Sequence, residues 1–582
     1  MIKKLSVMIF LIFLNQILHA QNEFITIWKP SLTPPSVPYA GIPVNSNGNQ
    51  IWFPGRGTNY TIYWEEIGYP AHNNILSDVT SVYNVLIDFG APLNPNQSDA
   101  TYRIKVSNGN GSFNQIRFAD SPVFLGDGIV GDAHKILKVE QWGNINWSSM
   151  VEAFNGCKIL DITATDIPNL SNVSDMSSMF RGCISLIGNP TINDWDISAV
   201  TNLSLAFSDC RVFNQPLGNW DTSNVINMGA TFLTAFVFNQ PLATWNTSKV
   251  VTMAAMFNNA RAFNQPIGNW DTSKNLDFEF MFSNAQKFDQ PIGNWDTSSA
   301  IEMDRMFSSA KVFNQDISNW NTGNVTNMEG MFSYALIFNQ NIGNWDVSNV
   351  EYMNEMFNNA QKFDGDISNW DVGNVETMQT MFRNAQNFNQ NIGNWNVSNV
   401  KSIDNMFTDA IKFNQNLGEW QLSSLISASG MFLNSGLNCQ NYDSTLLGWS
   451  INPSTPNNIY LSSVSPLVYS HPAAVSARNQ LITAKNWNIA GDTYDGECQS
   501  FLGTSDVKII NEIAVYPNPA TEFIYVKNFG AEHFTIFDLS GRIIEKGILN
   551  NGKINIQALK SGNYILQLVS KNETKNLKFI RQ

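Results

Sequence analysis

The chain has 582 residues, 34 basic against 48 acidic, a formal net charge of −14 and 43% hydrophobic residues. So much apolar material excludes a disordered chain, and the length calls for more than one folded unit. An acidic chain without a clustered basic run is also excluded as a nucleic-acid binder, because phosphate neutralisation needs gathered Lys and Arg.

Lys3 and Lys4 precede an apolar run from Leu5 to Leu14, and Ala20 offers a small residue for cleavage, which predicts a signal peptide over 1–20. The first Cys is Cys157, so no lipid anchor is expected, and no later stretch is apolar enough to span a membrane. Residues 22–140 alternate apolar and polar positions at Phe24 to Trp28, Asn59 to Trp64, Val82 to Phe89 and Thr101 to Val106. Gly, Pro and Asn break these runs, which predicts a small antiparallel β-sandwich. The segment Ile136 to Met150 should cap the region that follows.

That region, 143–435, is a repeat. Trp195 recurs every 25 residues to Trp420; a Phe ladder runs in step from Phe207 to Phe432, and another from Phe213 to Phe413. In one unit Val350, Met353, Met356, Phe357 and Ala360 follow the spacing of a helix face, and Phe338, Ile342 and Trp345 read as a short strand and bend. The expected fold is therefore an α/β solenoid of about twelve strand–helix units, with a row of strands on the order of 60 Å long at ~4.8 Å per strand. The aromatic ladders are expected in its core rather than as sugar-stacking platforms, since they keep step with Met. Residues 436–500 should close the far end, with helices at Tyr442 to Trp449 and Ala473 to Ala484 and strands at Asn458 to Leu461 and Trp487 to Ala490. A polar linker at 501–510 leads to a last domain at 511–582, whose short alternating strands predict a second β-sandwich.

Two polar columns accompany the ladders. After the Trp come Asp196, Asp221, Asn246, Asp271, Asp296, Asn321, Asp346, Asp371, Asn396 and finally Gln421. Stacked carboxylates would attract calcium, but the recurring Asn favours local capping, because Asn caps as well as Asp and brings no charge to a metal. After the second Phe come Asn214, Asn239, Asn264, Asp289, Asn314, Asn339, Asp364, Asn389 and Asn414. On an open face this row would bind an extended glycan or peptide; the alternative, which is favoured, is a ladder that satisfies backbone groups at the turns. Cys157, Cys183 and Cys210 occupy positions that are Ala in later units, hence core, while Cys439 and Cys498 are expected to pair in an oxidising compartment. His72, His134, His471 and His533 are dispersed, and no HExxH, GxSxG, P-loop or paired CxxC is present, so neither catalysis nor a metal or cofactor is expected. Only two carboxylates brought about 5–9 Å apart in a cleft would revive a glycan-active enzyme.

The repeat core W-D-x-S-N-V-x-x-M-x-x-M-F-x-x-A resembles that of BspA-like leucine-rich-repeat surface proteins. The resemblance implies a curved stack with a role in adhesion or binding at the cell surface, and no catalytic residues. YPNPA at 516–520, FDLSGRII at 537–544, LKSGNYILQL at 559–568 and KNLKFIRQ at 575–582 resemble the type A C-terminal sorting domain of the type IX secretion system. That likeness implies export across the outer membrane of a Bacteroidota-type cell, with the type IX machinery and a sortase-like protease as partners. The expectation is thus an exported, non-enzymatic surface scaffold with an unknown protein or glycan ligand. The alternative is a structural envelope protein with no specific ligand.

Overall fold

The structure, a computed structural model, describes residues 22–32, 46–118, 132–498, 500, 514–527, 532–549, 552–570 and 574–582. The expected signal peptide and the 501–510 linker lie outside them. The described chain divides into two compact units, the first running in sequence to Cys498 and the second taking the residues after it.

The first unit opens with β1 (Phe24–Trp28), β2 (Gln50–Phe53), β3 (Gly55–Glu66), β4 (Tyr69–Ser81), β5 (Val85–Asp88), β6 (Tyr102–Ser107), β7 (Ser112–Ile116), β8 (Ile136–Gln141) and β9 (Asp161–Ile162). One sheet runs β4-β3-β6-β1-β8-β9, with β7 also on β3, and β2 and β5 form a separate ribbon. Every residue of β1 is buried because the strand lies between β6 and β8. Tyr60, Ile62 and Trp64 of β3 and Tyr102, Ile104 and Val106 of β6 alternate inward, as a one-faced sheet requires. The ribbon covers that face, with Phe53 against Trp28 at 6.0 Å between ring centres. One large sheet and a two-stranded ribbon thus stand where a sandwich was expected. The long β4 was not foreseen, because YPAHNNILSDVTS lies mostly in solvent and carries little apolar alternation. Parallel pairing of Val139 with Ile162 then carries the sheet directly into the repeats.

The repeats overturn the strand–helix expectation. Between 143 and 435 the described residues contain no α-helix, only the 3-10 turn Pro190–Asp194, and each coil contributes one parallel bridge residue to its neighbours. The bridges pass from Asp175 to Asn202, Asn227, Thr252, Asp277, Glu302, Asn327, Tyr352, Thr377, Ser402 and Ser427. A chain of tight turns produces the helix-like spacing: Val350 N–H bonds Val347 O at 3.0 Å, Ala360 bonds Phe357 at 3.0 Å, and Phe363 bonds Ala360 at 3.1 Å. Such turns return an apolar residue inward every three or four positions, which mimics a helical period. Between them, Glu355 and Asn359 take left-handed φ of +58°, which stops helix propagation. Their amides instead donate to the next coil, Glu355 to Gln379 O at 2.9 Å and Asn359 to Arg383 O at 2.7 Å. The backbone hydrogen bonds a helix would keep within itself are here shared between coils.

The ladders fill the interior. Phe307 lies 4.0 Å from Phe313 in its own coil and 5.6 Å from Phe332 in the next, all near-parallel, and Trp320 stacks on Trp345 at 6.2 Å. From Trp220 to Trp420 each ladder Trp also satisfies its one donor (Trp320 Nε1 reaches Ile292 O of the preceding coil at 3.1 Å). Trp195, the first of the ladder, leaves its indole N–H unpaired. Cys157, Cys183 and Cys210 are fully buried here, and burial pushes their thiols up.

The stack is closed by α1 (Cys439–Ile451), β10 (Tyr460–Leu461), β11 (Val468–Tyr469), α2 (Pro472–Lys485), β12 (Asn488–Ile489) and β13 (Thr493–Tyr494). Trp449 of α1 lies 6.2 Å from Phe432 and donates to Leu417 O at 2.9 Å, continuing both ladders. Asn438 caps α1 by accepting from Asn441 N–H at 3.0 Å, and a disulfide joins Cys439 to Cys498. The second unit holds β14 (Ala514–Tyr516), β15 (Phe523–Lys527), β16 (His533–Asp538), β17 (Ile543–Ile548), β18 (Lys553–Asn555), β19 (Gly562–Val569) and β20 (Thr574–Arg581). The sheets β14-β15-β18 and β17-β16-β19-β20 enclose Ile524, Ile536, Ile554, Leu566, Leu568 and Phe579.

Candidate binding face

The column after the Trp forms turns, not helix caps. Asp196 Oδ1 accepts from Ser198 N–H at 3.0 Å. The same bond recurs at Asp221, Asn246, Asp271, Asp296, Asn321, Asp346, Asp371 and Asn396, from the amide two residues on, at 3.0–3.2 Å. These are Asx turns, and the helix they were expected to start is absent. Bonds from the Ser273 hydroxyl and amide hold the Asp271 carboxyl below its ordinary range.

The second polar column is a continuous ladder. Asn214 Oδ1 accepts from Asn239 N–H at 2.9 Å. The pattern continues through Asn239, Asn264, Asp289, Asn314, Asn339, Asp364 and Asn389 to Asn414, which accepts from Asn438 N–H, all at 2.8–3.0 Å. One lone-pair direction of every member is therefore spent on the next coil. Sequence reasoning missed the Gln that follows: Gln265, Gln290, Gln315, Gln340, Gln390 and Gln415 reach back to the preceding ladder residue. The recurring Asn-Gln pair was the signal for it.

Beside the bridge residues runs an outward column whose chemistry changes from coil to coil. Ile226, Val251, Leu276 and Ile301 are exposed, and Thr326, Glu351, Glu376 and Lys401 take the same place further on. Their amides are tied in line, Leu276 N–H to Val251 O at 3.0 Å and Ile301 N–H to Leu276 O at 2.8 Å. Asp277, Glu279, Glu302 and Asp304 gather next to this column. Asp304 is 6% exposed, and burial first, then Glu279 and Glu302, push its carboxyl up to about 7. Among the described residues no set of three His, Cys, Asp or Glu is placed to hold a metal ion.

Two predictions arise from these coils. Because the Asp304 carboxyl is raised in the folded chain, folding favours its protonated form, and stability falls as pH climbs from about 4 towards 7. Asp304→Asn removes that loss; it should gain about 1–3 kcal/mol at pH 8 and nothing near pH 4, by urea titration at both values. Asn275 is fully buried where Val225, Val250, Val325 and Val350 stand in other coils, and its Oδ1 has no partner. Asn275→Val should raise stability by about 1–3 kcal/mol, read as a higher urea midpoint at unchanged slope.

The other charged groups in the interior are held by the protein. His72 binds Glu66 at 2.5 Å and Phe89 O at 2.7 Å, so both ring nitrogens are engaged. Burial pushes the Glu66 carboxyl up, but bonds from His72 and from the Leu93 and Asn94 amides outweigh it and hold the group low. Lys135, 1% exposed, donates to Ser46 Oγ at 2.6 Å and to the Asn47 and Gln50 carbonyls at 3.0 Å.

A row of near-identical coils, an aromatic interior and a variable outer column define a stacked-repeat protein, which a separate β tail follows in sequence. Residues 148–268, 261–363 and 337–445 match the family described as "Mycoplasma protein of unknown function, DUF285". These matches take in about half of the chain, and the protein belongs to that family. The match supports a surface-repeat family and does not extend to the leucine-rich-repeat motif that the sequence resemblance implied. Residues 514–582 match the secretion system C-terminal sorting domain, the tail recognised by type IX secretion machinery, and the protein is secreted to the cell surface. Among the described residues no helix is long and apolar enough to cross a membrane. No curated protein and no solved structure matches the chain.

Proposed function

We propose that this protein is a non-catalytic scaffold for binding and adhesion on the surface of a Bacteroidota-type cell, its tail removed by a sortase-like protease during export. One observation carries the reading. Inward positions repeat the same Trp, Phe and Met coil after coil, whereas the outward column passes from Ile226, Val251, Leu276 and Ile301 to Thr326, Glu351, Glu376 and Lys401. A fixed interior under a varied exterior suits recognition of an extended partner, because each coil presents a different group at a constant spacing. The exported protein, immobilised and probed with glycan arrays and solubilised surface proteins, should show specific saturable binding. Failure across both panels would leave a spacer of the cell envelope in its place. Sequencing the C-terminus of the exported protein tests the processing step, with truncation near 505–515 expected.

A further inference from the structure

The Asn-Gln ladder has a gap. Gln340 Nε2 donates to Asn314 O at 2.7 Å, and Gln390 Nε2 donates to Asp364 O and Oδ1 at 2.9 Å, each covering the seam to the coil before it. Between them position 365 is Gly, so no side chain reaches back to Asn339. An open recess of about 340 Å³ lies there, lined by Asn339, Asn341, Asn344, Asp364, Asp366 and Asn369 and by the backbone of Gly343 and Gly365. That volume is at the lower end for small-ligand sites.

The lining decides what fits. Asp364 Oδ1 is taken by the Asn389 amide and Gln390, and Asp366 Oδ1 by the Ser368 amide, which leaves the second oxygen of each as an acceptor. Bonds from the Ser368 hydroxyl and amide hold the Asp366 carboxyl below its ordinary range, so it is ionised at neutral pH. The Asn344 and Asn369 side chains make no hydrogen bond within the described residues, and their amides offer both donors and acceptors. Two carboxylates without a Lys or Arg repel an anion. The absence of apolar side chains from the lining gives no grip to a hydrophobic ligand. Neighbouring hydroxyls on a neutral sugar ring donate to carboxylates and accept from Asn N–H₂, which is the chemistry this recess supplies. We propose that the recess at Gly365 binds one ring of a neutral polysaccharide; the proposal rests on the binding reading above and gives it a place and a ligand class.

The test is calorimetric titration of the full-length protein with maltohexaose, cellohexaose, laminarihexaose, mannohexaose and chitohexaose. Saturable binding of at least one is expected. Gly365→Gln should weaken it at least tenfold by completing the ladder and filling the recess. Asn344→Ala combined with Asn369→Ala should weaken it as much without altering stability, because neither side chain is bonded to the protein. Wild-type protein that binds none of the five, or variants that keep full affinity, would overturn the proposal. If surface proteins are captured while every saccharide fails, the sugar site falls and the wider binding reading stands.

Discussion

Phe307→Ala should cost about 3–5 kcal/mol of folding stability. The ring is fully buried and faces Phe313 at 4.0 Å, Phe282 at 5.7 Å, Phe332 at 5.6 Å and Trp320 at 6.1 Å. Removing it opens a cavity that cannot close, because each neighbouring ring is held in its own ladder by the coils above and below. Stability in such a stack is carried by contacts between adjacent coils, so one weakened layer should also uncouple the two halves. Urea unfolding followed by Trp fluorescence should show an earlier transition with a shallower slope. Val312→Ala, one residue before Phe313 but facing solvent, serves as the control and should change stability by less than about 0.5 kcal/mol. A loss below about 1 kcal/mol for Phe307→Ala would mean that the ladders are not the main cohesive element.

Gly448→Ala should lift the closing helix from the last coil. Gly448 in α1 packs backbone to backbone on Gly418, and a Cβ at 448 would collide with the Gly418 carbonyl and Cα, neither of which can swing away. Forcing them apart breaks the Trp449–Leu417 hydrogen bond and the Trp449–Phe432 stack. The expected loss is about 1–3 kcal/mol for overpacking, with a second consequence at the end of the stack. There the apolar interior would be exposed, and an uncovered end of a repeat array associates with other copies. Light scattering after size exclusion should detect dimers or larger species in the variant and a monodisperse wild type. A monomeric variant of unchanged stability would show that the closure rests elsewhere.

Much of this architecture is legible before any coordinates. The 25-residue step of Trp195 to Trp420 gives the stack, its length and its core, since only residues that meet their counterparts in the next unit keep such strict spacing. The Asn214 to Asn414 column foreshadows hydrogen-bonded turns for the same reason. The spacing of Val350, Met353, Met356, Phe357 and Ala360 misleads, because a run of three-residue turns and a helix both bring every third or fourth side chain inward. One clue was available: Asp209, Asn259, Asn284, Asn359, Asn384, Asp409 and Asn434 occupy one column, and Asn and Asp are the residues that best tolerate the left-handed φ found there. Glu355, Phe280 and Arg305 in the companion left-handed column carried no such hint.

Sequence by itself determined which residues face inward, how often the motif returns and that the tail is a sorting module, because these depend on hydrophobic spacing and short local patterns. Tertiary structure alone decided that the coils contain turns rather than helices and that Gly365 leaves a recess. Each of these depends on where a backbone amide or a missing side chain meets a neighbour 25 residues away, and no local pattern encodes that partner.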